Sequence, residues 1–382
     1  MEQPIGFSNG DKNKVCLLKK SIYGLKQASR VWNIKIHNVL TNNGFSQSKC
    51  EPCIYVKRSK NEYVIIALYV DDLYVFHSGC IKGVLSLLQQ HFDIRHLGEL
   101  KSCLGINVTR KENVIILDQV DYIKRLLSKF CMQDCKPVAT PLPVNLKLEK
   151  ADKCLEDSVY NYRELLGSLM YLAVCTRPDI SYACSQLSQF GTCFDMSHWR
   201  AAKRILRYLA GTTNYGLYFY KSSGLSIDAF TDADWANDLS DRKSYTGYII
   251  KLGRNVINWE ARKQRCIALS STEAEYLAIS DVCKDICFVR NFLSEILNKT
   301  FNVVVYNDNQ SAQKLLLIKE YSHRRTKHID LRYHYVKDLM QKDLFDVKYL
   351  PTERMVADMF TKPLCREKHH SFIKELNVCS LN

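Results

Sequence analysis

Asp71 and Asp72 stand side by side between two apolar, β-rich runs at 64–68 and 73–76. The pattern predicts a hairpin with both acids at its tight turn. Adjacent negative charges repel unless a cation lies between them, and a divalent ion is the usual one. The turn is therefore a candidate half-site for Mg²⁺-dependent phosphate chemistry, with a solvated Asp-Asp turn as the plainer reading. A second set of acids is spread over the C-terminal part: Asp232, Glu275, Asp308 and Asp358. Asp232 ends a strand, Glu275 lies in the first turn of a long helix, Asp308 follows an apolar strand, and Asp358 lies in the first turn of the terminal helix. Strand ends and helix starts of an α/β sheet converge on one rim. Four carboxylates there repel without metal. Two divalent ions about 3.5–4 Å apart would neutralise them and hold the attacking and leaving oxygens of a phosphodiester. Any one of these acids alone reads as a turn or cap residue, as Asp234 does; the specificity lies in their order along the elements.

The elements that must carry these acids follow from periodicity. Strands are predicted over 226–232, 245–252 and 255–260, then a long helix from Thr272. On that helix Ala274, Ala278, Val282, Ile286, Val289 and Leu293 keep a three-to-four spacing. A strand over 303–307, a short helix near 311–317, a helix near 329–340, a strand over 345–350 and a final helix from Met355 complete the order. Upstream, Ser197 is the expected N-cap of a helix over 198–209. On it Arg200, Lys203, Arg204 and Arg207 recur at i, i+3, i+4 and i+7, opposite Trp199, Ala202, Leu206 and Leu209. The basic stripe is either a solvated face or a helix laid along a phosphate backbone. Arg325, Lys327 and His328 form a second basic patch, again either a nucleic-acid contact or a solvated helix start.

The 382 residues allow two or three domains, and the formal net charge of +14 points first to a polyanionic partner, nucleic acid before a membrane surface. Apolar content of 46% and charged content of 25% are those of a soluble globular chain. No apolar run reaches the length of a membrane span, and Met1-Glu2-Gln3-Pro4 lacks the regions of a signal peptide, so a soluble intracellular protein without a membrane partner is expected. Sixteen cysteines are scattered without framework spacing or a convincing zinc set, and read as reduced, mostly packed side chains.

Ordered motifs run the length of the chain: Ser21-Ile22-Tyr23-Gly24-Leu25-Lys26-Gln27-Ala28, Tyr69-Val70-Asp71-Asp72, Leu97-Gly98-Glu99-Leu100, Tyr162-Arg163-Glu164-Leu165-Leu166-Gly167-Ser168, Leu269-Ser270-Ser271-Thr272-Glu273-Ala274-Glu275, Asn307-Asp308-Asn309-Gln310-Ser311, and Ala357-Asp358-Met359-Phe360-Thr361-Lys362. In these the chain resembles the Pol polyprotein of copia-type LTR retrotransposons, over the later part of reverse transcriptase and the whole of ribonuclease H. The resemblance implies an α+β and α/β fold: a truncated reverse transcriptase palm over 1–136, a linker over 137–158, a helical thumb or connection over 159–221, a ribonuclease H-like mixed sheet with flanking helices over 222–366, and a C-terminal tail over 367–382.

It implies roles as well. Asp71 and Asp72 resemble the metal-binding acids of the polymerase, and Lys26 and Gln27 the template- and nucleotide-contacting segment. Asp232, Glu275, Asp308 and Asp358 resemble the ribonuclease H acids, with Mg²⁺ or Mn²⁺ as cofactor. The implied partners are an RNA–DNA hybrid and template–primer nucleic acid, in a cytoplasmic virus-like particle or the nucleus. Three departures stand out. Cys103-Leu104-Gly105 replaces an aromatic primer-gripping turn. Leu350-Pro351-Thr352-Glu353-Arg354 lies where relatives keep a loop histidine. The third polymerase acid belongs on a strand before the hairpin, yet the one upstream aspartate, Asp11, sits in a polar turn. The expectation is a hydrolase complete in its motifs beside a polymerase half that makes no useful DNA alone. A non-catalytic nucleic-acid-binding remnant, or a longer product that supplies the missing acid, are the open alternatives.

Overall fold

The computed structural model describes the chain apart from residues 8–10, 12–13, 60–61, 222–223, 239, 318–326 and 382, and apart from the side chains of 317 and 327–331. The chain divides into two units, Met1–Gly98 with Glu295–Asn298, and Glu99–Ser294 with Lys299–Asn382.

In the first unit the order is α1 (Ala28–Asn42), β1 (Ser46–Gln47), β2 (Ile54–Arg58), β3 (Tyr63–Tyr69), β4 (Asp72–His77) and α2 (Lys82–His91). The four strands form an antiparallel sheet in sequence order. Alternation along β3 sends Ile66 and Leu68 inward, where Ile36 and Leu40 of α1 and Val84 and Leu88 of α2 meet them.

The second unit continues with β5 (Ser102–Cys103), β6 (Ile106–Lys111), β7 (Val114–Asp118), α3 (Val120–Lys129), α4 (Asp157–Tyr160), α5 (Tyr162–Cys175), a 3₁₀ turn (Pro178–Ile180), α6 (Ser181–Ser188), α7 (Met196–Gly211) and β8 (Tyr215–Tyr220). It goes on through β9 (Ile227–Asp234), β10 (Tyr245–Leu252), β11 (Asn255–Lys263), α8 (Ser271–Leu297), β12 (Val303–Asn307), α9 (Gln310–Leu317), α10 (Lys327–Gln341) and β13 (Asp346–Tyr349). Two 3₁₀ turns (Thr352–Arg354 and Val356–Phe360), α11 (Arg366–Glu375) and β14 (Val378–Ser380) end it.

One sheet has the order β11-β10-β9-β12-β13: an antiparallel meander of β9, β10 and β11, with β12 parallel to β9 and β13 parallel to β12. This is the mixed sheet with flanking helices that the sequence implied. The other, β14-β8-β7-β6-β5, is antiparallel throughout.

The compact units part at Gly98, inside the segment 1–136, because β7 pairs with β8 and α3 buries Ile123, Leu126 and Leu127 in the core of the second unit. The same core joins the helices to the mixed sheet: Leu165, Leu169, Leu187, Ile205 and Leu209 share it with Tyr245, Ile249 and Val256. The connector over 137–158 runs through bends and a turn without helix or strand until α4 begins, and it is packed rather than a free linker, with Thr140, Pro141, Leu142 and Leu148 buried.

Other expectations are also revised. The terminal helix breaks into 3₁₀ turns ahead of Pro363, and α11 starts only at Arg366. The tail is ordered, its β14 bordering β8. Asp195, not Ser197, caps α7: its carboxylate accepts from the Ser197 and His198 N–H groups. Cys154 and Cys193 form a disulfide rather than remaining reduced, brought together where the connector folds back and Leu155 N–H donates to Phe194 O at 2.8 Å.

Two internal contacts anchor this unit. Arg177 is wholly buried and donates to both Asp179 oxygens, to Thr212 O and to Thr212 Oγ1, while Tyr208 Oη donates to Asp179. Burial alone would raise the Asp179 carboxyl, but the guanidinium and the hydrogen bonds hold it below the ordinary carboxylate range. Gly247, opposite Asp232 in the β9–β10 register, lets the Val356–Phe360 turn lie directly on the sheet. A Cβ there would stand 2.6 Å from Phe360 Cβ and 2.9 Å from the Phe360 carbonyl carbon.

Arg177→Met is expected to destabilise the second unit by about 3–5 kcal/mol, because it strands a buried carboxylate. Denaturant unfolding measures this, and a loss under about 1 kcal/mol contradicts it. Gly247→Ala is expected to cost about 1–3 kcal/mol by overpacking, read as a lower thermal midpoint; an unchanged midpoint means the turn does not need the close approach.

Candidate functional site

Strand register assembles the C-terminal acids. β12 pairs in parallel with β9 so that Tyr306 lies opposite Phe230, their rings stacked with centroids 5.0 Å apart. Two residues on, where the side-chain alternation repeats, Asp308 comes level with Asp232. Glu275 arrives from the start of α8, whose entry is fixed by two bonds: Glu273 N–H donates to Ser270 Oγ and Leu269 N–H donates to the Glu273 carboxylate. One oxygen from each of Asp232, Glu275 and Asp308 lies within 4.8 Å of the others. Among the described residues this is the one group of three or more acidic, His or Cys side chains so gathered.

Asp232 and Glu275 are buried and Asp308 half-buried. Burial pushes Asp232 up to about 7, with Lys362 pulling against it and Asp358 and Asp308 adding to the rise. Burial and the neighbouring Asp232 raise Glu275 well above its ordinary value. Asp234, on the same strand, is raised to about 6, chiefly by burial.

Each clustered carboxylate has a neutral donor that fixes it. Asn307, fully buried, donates from Nδ2 to Glu275 Oε2 at 2.9 Å and to Thr231 O at 3.2 Å. Thr361 Oγ1 donates to Asp232 Oδ2 at 2.6 Å, and Thr352 Oγ1 to Asp308 Oδ2 at 2.6 Å. None of the three was singled out from sequence. For Asn307 a signal existed: an amide ending an apolar strand beside an acid must find a buried partner.

Asp358 lies beside this cluster rather than within it. It is fully buried, with Lys362 Nζ 2.9 Å from Oδ1 and Lys368 Nζ 2.5 Å from Oδ2. Its place on the Val356–Phe360 turn follows from the contact at Gly247.

The first unit holds Asp71 and Asp72 on the expected hairpin. β3 and β4 join through Val70-Asp71, with Val70 at φ 55°, a strained value for a β-branched residue, and Tyr69 opposite Asp72. Trp32 Nε1 donates to Val70 O at 2.5 Å. Both acids are exposed, and among the described residues no third carboxylate gathers with them. A hydrogen bond to Asp71 is the first cause that raises the Tyr23 hydroxyl. Lys26 and Gln27 are exposed just before α1.

The basic stripe of α7 is partly occupied by the chain itself. Arg204 donates to Thr140 Oγ1 and Arg207 to Lys136 O, pinning the connector. Lys203 lies over the Trp199 ring, and Arg200 is exposed. Arg325 lies outside the described residues, as do the side chains of Lys327 and His328. The Cys103-Leu104-Gly105 segment is a tight turn between β5 and β6, with Leu104 O accepting from Tyr171 Oη.

Residues 1–144 match the reverse transcriptase (RNA-dependent DNA polymerase) family. The chain is 40% identical over 380 residues to the retrovirus-related Pol polyprotein from transposon TNT 1-94 of Nicotiana tabacum, covering 96% of this chain and 28% of that protein. It thus spans little more than a quarter of that polyprotein. It is 32% identical over 292 residues to a Ty5-1 transposon protein of Saccharomyces cerevisiae, covering 75% of this chain and 94% of that protein. A solved structure of LC11-RNase H1 in complex with an RNA/DNA hybrid is similar at 13% identity and a TM-score of 0.28, over 36% of this chain and 94% of that one. With such identity to transposon proteins along almost all its length, the chain belongs to the family of copia-type LTR retrotransposon Pol polyproteins.

Proposed function

We propose that the second unit cuts the RNA strand of an RNA–DNA hybrid by divalent-metal-dependent hydrolysis. The observation that carries this reading is the meeting of Asp232, Glu275 and Asp308 within 4.8 Å. The donor set fits the ion, since hard carboxylate oxygens suit Mg²⁺ or Mn²⁺. Burial and crowding raise both Asp232 and Glu275 even with Lys362 beside Asp232, so their ionised forms favour a further cation. When bound, such an ion supplies polarisation of a phosphoryl oxygen and a more acidic water. Asp232, Glu275 and Asp308 would hold it, while Thr361, Asn307 and Thr352 keep those carboxylates aimed. The surplus of +14 charges favours a nucleic-acid duplex, with 2′-hydroxyls and duplex shape as the recognised features.

For the first unit we infer template–primer contact through Lys26, Gln27 and the Asp71-Asp72 hairpin. DNA synthesis by this chain alone is not expected, because two exposed acids with no third gathered beside them among the described residues do not fix a metal pair. One observation favours a second reading, a binding protein without hydrolysis: both oxygens of Asp358 are taken by lysines.

A labelled-hybrid assay with Mg²⁺ separates the readings. Asp308→Asn is expected to cut at least about 100-fold more slowly than wild type, a larger loss than a supporting residue gives. Equal cutting by the two proteins removes the hydrolase reading, and salt-sensitive hybrid binding with no cutting by either supports the second one. Thr361→Val is expected to weaken divalent-ion binding about 10–100-fold, measured by calorimetric titration with Mn²⁺; unchanged affinity means Thr361 does not set the orientation of Asp232.

A further inference from the structure

Asp358 has a different electrical environment from the other three acids. It is fully buried, and each of its oxygens meets its own ammonium group. Lys368 reaches Oδ2 from the first turn of α11, and its Nζ also donates to Thr352 O. Lys362 reaches Oδ1 from the end of the 3₁₀ turn, where the Thr361 and Lys362 N–H groups both close onto Asp358 O.

Lys362 also faces the cluster. Its Nζ lies 4.0 Å from Asp232 Oδ2, and Asp234 is a further carboxylate within electrostatic reach. One ammonium therefore stands between Asp232 and Asp358, filling the gap between two carboxylates that a further cation would otherwise be drawn to. An ammonium and a divalent ion cannot share that space, since both occupy the same carboxylate oxygens and repel each other. A lysine suits such a place: its charge is compact and its stem flexible, so it can leave without unfolding what holds it.

Resting on the hydrolase reading above, we propose that Lys362 is a built-in counter-ion standing where a second divalent cation would bind. The chain takes one divalent ion at Asp232, Glu275 and Asp308, and a second only when the Lys362 ammonium moves off Asp358 and Asp232. Lys362 is in this sense a positioning residue: it sets how many ions the rim holds and keeps Asp358 in place meanwhile.

The test is Mn²⁺ titration of the full chain by calorimetry, with free Mn²⁺ followed by electron paramagnetic resonance, and thermal unfolding in EDTA alongside. Wild type is expected to bind one Mn²⁺ tightly. Lys362→Met is expected to bind two, the second at least about tenfold more tightly than wild type binds it, a difference of about 1.4 kcal/mol. In EDTA the same variant is expected to melt at lower temperature, since buried Asp358 has lost one of its two cations, and to recover with Mn²⁺. Lys362→Arg keeps a cation there and is expected to stay at one ion. Lys362→Gln replaces the Met variant if that protein does not fold. Two tight ions in wild type, or a single ion in the neutral variants, overturns the counter-ion role and leaves the three-acid site intact. No Mn²⁺ binding in wild type, or undiminished binding in Asp308→Asn, removes the hydrolase reading itself.

Discussion

Carboxylates taken out of water and set against one another must be compensated, and the C-terminal rim is arranged around that requirement. Two kinds of compensation are visible. Asp232, Glu275 and Asp308 receive neutral hydrogen-bond donors, which orient them, and of the three only Asp232 also has an ammonium at its edge, Lys362 at 4.0 Å. Asp358 receives two ammonium groups, which answer its charge directly. The rim is thereby divided into a part that attracts a cation from solution and a part that carries its own. Both depend on the turn that presses against β10 at Gly247, because Asp358, Thr361 and Lys362 all lie on or beside it.

Much of this was legible in the residues. β10 and β12 have the predicted ends, and β9 carries Asp232 as expected, because β-branched and aromatic runs bounded by polar turns declare strands. The pairing of Asp232 with Asp308 follows from alternation once β9 and β12 are neighbours, but that neighbourhood is a matter of topology and no local pattern states it. Lys362 belongs to the Ala357–Lys362 motif without an expected role of its own. Four residues after an acid it reads as a surface pair, and its reach toward Asp232 depends on the break before Pro363. The Cys154–Cys193 disulfide joins residues 39 apart, which spacing among sixteen cysteines could not single out. On α7 the periodicity of the four cations was real, yet two of them serve the connector. Spacing reveals a shared face and leaves open what covers it.

The two acidic sites also differ in rigidity of support. Asp232 and Glu275 sit inside a packed rim, where neighbouring side chains restrict each carboxylate. Asp71 lies on the two-residue turn and Asp72 opens β4, both open to water, with left-handed Val70 completing the turn and a tryptophan indole holding its carbonyl. The hairpin fixes where the backbone points, and its two exposed carboxylates meet only tyrosine hydroxyls, Tyr23 at Asp71 and Tyr74 at Asp72, among the described residues.

The antiparallel sheet of the second unit has an order of assembly written into it. β7 and β8 can pair as soon as both exist, but the strand that borders β8 is β14, and the Tyr218 hydroxyl reaches Ser380 O across 162 residues. During synthesis the outer edge of β8 therefore stays bare while the whole acid-bearing sheet is being made, an unpaired edge open to pairing with other strands. The cover on β8 is thus supplied by residues far along the chain, after the acid-bearing sheet has been made.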